Sequence, residues 1–385
     1  MDFLLTGEQR MIKELARDTV AREIMPVIQA EEADRPLPKE VMMRLYRTLG
    51  RLGLHAPRLP ESQGGGGLKY LDYGLIMEEL PPFLALSIMA HESTILRFVL
   101  GATEAQKERF LPQMLSGGKI LCTGISEPNV GSDPRAVETQ ARREENRIVL
   151  DGTKFWITNG TISDYMIVVA SMGKDDNGRN LITRILVDRE SSPYDAREVE
   201  AIGLRQGHLS EVVFEGCSVP VDSLLGDPGD AHGPLTITWL ANRPFIGLMA
   251  VHLAQQALNA CIAYVKIRKQ FGRRIGEFQL VQEMISEMAV RTEASRLLCY
   301  KALSLLDAGQ RSNKEASMAK WFATENCLHA LSLAIQCHGA AGLTREVGLE
   351  QLYRDARMLT IPDGTSQIHQ LVVAGELTGI KAFRG

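Results

Sequence analysis

Between two stretches of helical patterning lies a segment of quite different period, and that change of texture limits the folds open to the chain. From about Leu121 to Gly226 short β-branched and aromatic runs alternate with turns: Arg147-Ile-Val-Leu150, Lys154-Phe-Trp-Ile-Thr158, Tyr165-Met-Ile-Val-Val-Ala170, Leu181-Ile-Thr-Arg-Ile-Leu-Val187 and Glu211-Val-Val-Phe-Glu215. Asp151-Gly152 and Asn159-Gly160 between such runs are hairpin signals, so this segment reads as an antiparallel β-domain. The chain before it reads as helical. Thr6-Gly-Glu-Gln9 has the form of a capping box, with Ile12, Leu15, Ala16 and Thr19 following at helical spacing. Pro36 and Pro38 break the pattern, a second helix starts near Lys39, and the four glycines of Pro60-Glu-Ser-Gln-Gly-Gly-Gly-Gly-Leu68 mark a loop. Tyr70 to Leu80, Ser87 to Leu100 and Gln106 to Leu115 resume the helical pattern. After the β segment Ile246 to Val265 is long and apolar, with Gly247, Ala250, Ala254 and Ala257 allowing close packing, and Gln279 to Ala308 and Asn313 to Gln336 are further long helices. The expectation is an α+β chain with an N-terminal α-helical domain over 1–120, a middle β-domain over 121–228 and a C-terminal α-helical domain over 229–385.

Composition narrows the class. A chain of 385 residues, 45% hydrophobic and 23% charged, is long enough for two or three domains of ordinary globular make-up. A formal charge of −4 argues against a nucleic-acid surface, which needs a basic excess. The run Leu298 to Leu306 is broken by Lys301, and no apolar run approaches a membrane span. Met1-Asp-Phe-Leu-Leu-Thr6 lacks a basic n-region, which sets the expectation of no signal peptide. Six scattered cysteines (122, 217, 261, 299, 327, 337) form no Cys-x-x-Cys pair and read as reduced core thiols in a cytoplasmic protein, with no metal site.

Four stretches hold residues suited to chemistry. Asp363-Gly364 forms a tight turn, and Thr365 or Ser366 then N-caps a helix. An acid held just before a helix start has a fixed direction and its charged form is favoured by the helix dipole, which suits a base, although the same acid would also serve as a cap. In Leu121-Cys-Thr-Gly-Ile-Ser-Glu-Pro-Asn-Val-Gly-Ser-Asp133 a strand ends at Ser126 and turns through Glu127-Pro128, presenting N–H groups and a hydroxyl at its edge. Phe155-Trp-Ile-Thr-Asn-Gly160 sets Trp156 and Thr158 on one strand, where tryptophan is more often plain core. Arg268-Lys-Gln-Phe-Gly-Arg-Arg274 with Phe278-Gln279 is a basic run that reads alone as a solvated face, yet it offers the fork geometry that arginine brings to pyrophosphate.

Together with Gln336-x-x-Gly-x-x-Gly342 and Tyr353-Arg-Asp-Ala-Arg357, these strings resemble the signatures of the acyl-CoA dehydrogenase family across nearly the whole chain. The resemblance implies that family's fold, with an N-terminal helical domain, a central antiparallel β-domain and a C-terminal four-helix bundle. It also implies FAD. Ile125, Ser126, Trp156 and Thr158 then face the flavin, with Thr365 and Gln367 nearby, and Ser132 lies near the pantetheine arm. Arg268, Phe271 and Gln279 bind the ADP half across a subunit interface, opposite Gln336 and Gly339, so a homo-oligomer is implied, a tetramer ahead of a dimer. Arg243 matches an arginine placed near the catalytic site. Asn242 stands where isovaleryl-type members carry the catalytic Glu, and Asn is no base. Asp363 stands where the family commonly has the basic Glu, one methylene shorter. Glu92, beside His91, falls on the acyl pocket, where a satisfied polar pair at a helix start is the simpler reading.

The function implied is FAD-dependent introduction of an α,β double bond into an acyl-CoA, with Asp363 as base and an electron-transfer flavoprotein as acceptor. The shorter carboxylate directs the expectation to a branched, cyclic or other non-standard acyl group. The alternatives are an oxidase or monooxygenase of the same fold, an acyl-carrier-protein-linked dehydrogenase, and a catalytically reduced FAD-binding member. Nitroalkane oxidase shares an Asp at this position, but the arginine it carries seven residues later is Gln370 here.

Overall fold

The first helix is closed by its own sequence. Thr6 Oγ1 accepts from Gln9 N at 3.1 Å while Gln9 Oε1 accepts from Thr6 N at 3.1 Å, the reciprocal box read from Thr6-Gly-Glu-Gln9. The computed structural model describes residues 4–382; residues 1–3, part of the segment read for a signal peptide, and 383–385 lie outside the described residues. Six helices follow one another: α1 (Gly7–Thr19), α2 (Met25–Gln29), α3 (Lys39–Arg51), α4 (Tyr70–Met77), α5 (Pro82–Val99) and α6 (Glu104–Leu115), with a π-helical stretch Val20–Ile24 joining the first two. Leu84, Ala85, Ile88, Ile95 and Phe98 of α5 are all buried, which makes that helix the one nearest the centre of the fold.

Strands β1 (Leu121–Gly124), β2 (Gln140–Glu144), β3 (Arg147–Thr158), β4 (Tyr165–Lys174), β5 (Asn180–Asp188), β6 (Asp195–Glu198), β7 (Leu209–Pro220) and β8 (Leu224–Leu225) form one sheet in the order β6-β7-β3-β2-β4-β5-β8. β1 and β2 share one edge of β4, and the β1 pairing, Leu121↔Tyr165 through Gly124↔Val168, is parallel. The purely antiparallel expectation is corrected there. The strand leaving the helical domain cannot turn back on itself by a hairpin, so it meets β4 in the only direction a long crossover allows.

Helix α7 (His232–Ile267) leads through the two-residue ribbons β9 (Lys269–Gln270) and β10 (Arg273–Arg274) to α8 (Gln279–Asp307), α9 (Asn313–His338), α10 (Leu349–Leu359) and α11 (Ser366–Thr378). Ala241-Asn-Arg-Pro244 reads as a helix start because proline suits the first turn; instead α7 begins at His232 and Pro244 lies inside it. The three long helices pack on one another, and α10 and α11 complete the fourth side against α9. Arg243 bonds Ser317 Oγ at 3.2 Å and Tyr264 stacks on His338 at 4.2 Å, so α7 and α9 run parallel with a constant stagger. Gly247 is required where α7 meets α8, since a Cβ there would come within 2.5 Å of Cys299 Sγ. α7 is long and apolar enough to cross a membrane, but 67% of its most apolar window is buried in this fold. All six cysteines are free and buried.

Candidate active site

The turn between α10 and α11 carries the candidate base. Asp363 adopts left-handed backbone, φ 52°, a region that aspartate tolerates better than most residues, and Gly364 follows at φ 106°. Thr365 then caps α11, its Oγ1 accepting from Ile368 N at 3.3 Å. The caging of this turn comes from α9. The buried Lys320 Nζ donates to Thr360 O at 3.1 Å and to Gly364 O at 2.5 Å, bracketing the acid on both sides. Asp363 Oδ2 is buried with no hydrogen-bond partner. A buried carboxylate oxygen without a partner is costly and marks a group kept available.

Three cations surround that carboxylate. Arg243 Nη1 reaches Asn313 Oδ1 at 2.8 Å and Ser317 Oγ, leaving Nε buried and unpaired. Burial pushes its guanidinium below its usual range while Asp363 pulls it back up. Burial likewise drives Arg97 down to about 10 and Lys320 down to about 7, and in both the Asp363 charge is the leading opposing influence. His369 lies beneath the turn, fully buried with neither ring nitrogen bonded, and burial first, then Lys320, holds it neutral at about 3.

The wall facing this cluster is built from α5 and α7. Glu92 is fully buried and ion-paired through both oxygens to Arg58, whose Nη2 also reaches Ser93 Oγ at 3.1 Å and Asn242 Oδ1 at 3.2 Å. Glu92 and His91 therefore sit mid-helix, not at a helix start. Glu92 is satisfied, whereas His91 accepts only from Leu121 N and leaves Nε2 unpaired. Charge here is structural. A neutralised Arg58–Glu92 pair replaces what would otherwise be an apolar lining.

The sheet supplies a second surface. A register shift between Lys154 and Ile157 and the left-handed backbone of Trp156, φ 59°, turn the indole outward, so it is 50% exposed instead of core. Thr158 lines a cavity of about 340 Å³ with Phe83 and Leu86 of α5 and Met358 of α10. The neighbouring turn is pinned by Glu127, whose carboxylate accepts from Glu138 N at 2.6 Å, Thr139 N at 2.9 Å and the buried Lys154 Nζ at 2.6 Å. Lys154 Nζ also reaches Ile125 O at 3.2 Å. Ser126 Oγ, Thr158 Oγ1 and Trp156 Nε1 take no hydrogen bond among the described residues. Free donors beside an outward-facing indole fit a flat, polar-edged ring such as isoalloxazine.

The remaining predicted residues separate. Gln367 is exposed on α11 and Ser132 lies in an exposed loop. Arg268, Phe271, Gln279, Gln336 and Gly339 are all exposed at the opposite end of the C-terminal helices from Asp363, with Phe271 92% exposed at the tip of the β9–β10 ribbon. Sequence reasoning missed Arg97, Lys320, His369, Arg58 and the Glu127–Lys154 pair. A lone cation inside an apolar helical run, as in Ile95-Leu-Arg-Phe-Val99 or Ala319-Lys-Trp-Phe-Ala323, is the signal that would have found two of them.

The family models for the acyl-CoA dehydrogenase N-terminal, middle and C-terminal domains match residues 6–118, 122–217 and 238–378. The chain belongs to the acyl-CoA dehydrogenase family. It is an oxidoreductase of FAD-dependent, acyl-CoA dehydrogenase type, and the flavin surface described above lies in its matched middle domain. Among relatives of this acyl-CoA dehydrogenase, a probable acyl-CoA dehydrogenase, YngJ, of Bacillus subtilis (strain 168) is 36% identical, over 98% of this chain and 100% of its own. The caffeyl-CoA reductase-Etf complex subunit CarC of Acetobacterium woodii is 33% identical over 96% and 98%. The solved glutaryl-CoA dehydrogenase of Mycobacterium smegmatis in complex with FADH2 superposes with a TM-score of 0.89 at 28% identity, covering 99% of this chain and 97% of that one.

Proposed function

We propose that Asp363 is the base that takes the α-proton of an acyl thioester, the acyl group being branched, cyclic or otherwise non-standard. The observation that carries this reading is the unpartnered, buried Oδ2 of Asp363 on a turn clamped by Lys320. A carboxylate removes a weakly acidic proton only when it is dry, close and fixed, and these features supply the first and third conditions. Loss of the proton places negative charge on the thioester oxygen, which Arg243 and Arg97 balance from the surrounding wall. FAD, when bound, supplies the two-electron oxidant for the β-hydride. Ile125, Ser126, Trp156 and Thr158, with Thr365, would hold its ring, while Arg268, Phe271, Gln279, Gln336 and Gly339 would hold the ADP half.

The placing of that second group supports an oligomer. Lys320 and Gln336 are sixteen residues apart on α9, about 24 Å at helical rise, so the ADP motif of one chain is remote from its own Asp363. The exposed Phe271, Leu280, Val290 and Leu343 offer an apolar surface for further copies, and we infer a homotetramer. The CarC relative, named as a subunit of an Etf complex, supports an electron-transfer flavoprotein as acceptor here.

Anaerobic bleaching of the flavin by a panel of linear, branched and cyclic acyl-CoAs tests the reading. Asp363→Asn is expected to slow bleaching by roughly 10²–10⁴-fold with FAD still bound; a near-normal rate removes Asp363 from the chemistry. Rapid reoxidation by O₂ with turnover would move the enzyme to the oxidase class.

A further inference from the structure

Resting on the dehydrogenation reading, the charges around Asp363 specify the acyl group further. Arg97 lies on α5 with 5% of its surface exposed, and its only hydrogen bond is from Nε to Thr238 Oγ1 on α7 at 3.0 Å. Neither of its terminal nitrogens has a protein partner, and neither Arg97 nor Arg243 has an ion-pair partner among the described residues. Around Arg97 the charges run as follows. Arg58 and Glu92 cancel each other, Arg184 is shared with Asp230 at 3.9 Å, and Asp363 alone faces Arg97, Arg243 and Lys320. A positive excess is buried here, and guanidinium does not discharge by losing its proton. Burying such a charge is costly unless an anion completes it.

We propose that Arg97 receives a carboxylate carried by the acyl chain itself, so that the substrate is a short dicarboxylic acyl thioester. The site is too deep for the alternatives. The arginine that would meet the cofactor's pyrophosphate, Arg268, is exposed at the far end of α7, whereas Arg97 is behind Thr238 in the wall nearest the base. An anion reaching it beside Asp363 must therefore belong to the reacting acyl group. The polar lining of the same wall, Glu92, Arg58, Ser93 and Asn242, suits a charged chain and penalises an alkyl one, which would strip these groups of water and return no hydrogen bond.

The test uses the FAD-loaded enzyme and defined probes: succinyl-CoA and glutaryl-CoA, their monomethyl esters, and butyryl-CoA and valeryl-CoA. The acids are expected to bleach the flavin at least about 100-fold more efficiently than the esters, the scale for leaving a buried charge unpaired. In Arg97→Gln that preference is expected to collapse toward unity while FAD content and the flavin spectrum are unchanged, and Arg97→Lys should retain part of it. Esters or alkyl chains reacting as well as the acids overturn the proposal and leave the dehydrogenation reading standing. Failure of every thioester to bleach bound flavin takes down both. If Arg97→Gln does not hold FAD, the acid-to-ester ratio of the wild type decides alone.

Discussion

The ammonium of Lys320 donates to the Gly364 carbonyl at 2.5 Å, one residue beyond the acid it positions. A second bond, to Thr360 O, closes the other side of the turn. Lys320→Met keeps the volume and removes both bonds. Turnover is expected to fall on the order of 10²-fold, the scale for a displacement of about 1 Å at a reacting group, with flavin retained. Burial holds the Lys320 pKa down at about 7 in the fold, below its unfolded value. The unfolded chain therefore binds the extra proton between about pH 7 and 10, and wild-type stability from this group is full above that window and lost as pH falls through it. Melting curves of both proteins from pH 10 to 7 should show the difference shifting in favour of Lys320→Met.

The Glu127–Lys154 pair gives an acid-side prediction. Burial opposes ionisation of Glu127, but Lys154 and the N–H groups of Glu138 and Thr139 prevail and hold it below the usual carboxylate range. A depressed carboxylate contributes stability above its unfolded pKa and loses it as pH falls through the folded value. Lys154→Met leaves the acid buried and unpaired and should cost about 3–5 kcal/mol at neutral pH. The gap to wild type, measured by denaturant titration, should narrow below pH 4.

Trp156 combines strained backbone with an outward ring. Replacing it by Ala or Gly should weaken FAD binding about tenfold, the scale of one lost aromatic contact. The two variants should differ in the apoprotein, where Trp156→Gly relieves φ 59° and is expected to be the more stable by about 1 kcal/mol. Equal stabilities would mean that the bulge relaxes once the indole is gone.

Phe271 is nearly bare at the tip of its ribbon. Phe271→Glu should break up the proposed assembly, read by light scattering, and release FAD in step with dissociation. A variant that dissociates but keeps its flavin would place the ADP half within one chain.

Much of this was legible in the sequence. The Thr6 box, the change of period near Leu121 and the motif strings all speak through local rules, and they carried the fold, the flavin and Asp363. Three features did not, each for a reason of range or context. Pro244 looked like a first-turn residue, but α7 accepts the lost hydrogen bond because its flanks are locked between α5, α8 and α9. The parallel β1–β4 pairing depends on a crossover, which no periodicity records. Arg97 and Lys320 read as ordinary helix surface, because only the packed structure shows that their faces are inside.

The parallel course of α7 and α9 has a mechanical consequence. Contacts from Arg243–Ser317 to Tyr264–His338 keep step along both rods, so one rod cannot advance without the other. Inserting a single residue between Gly247 and Cys261 would rotate the distal half by about 100° relative to the proximal half. The arginine-bearing ribbon would then point away from its dinucleotide while the proton-accepting turn stayed in place. The pair of helices is thus a gauge: it sets the angle between where the cofactor is gripped and where the bond is broken.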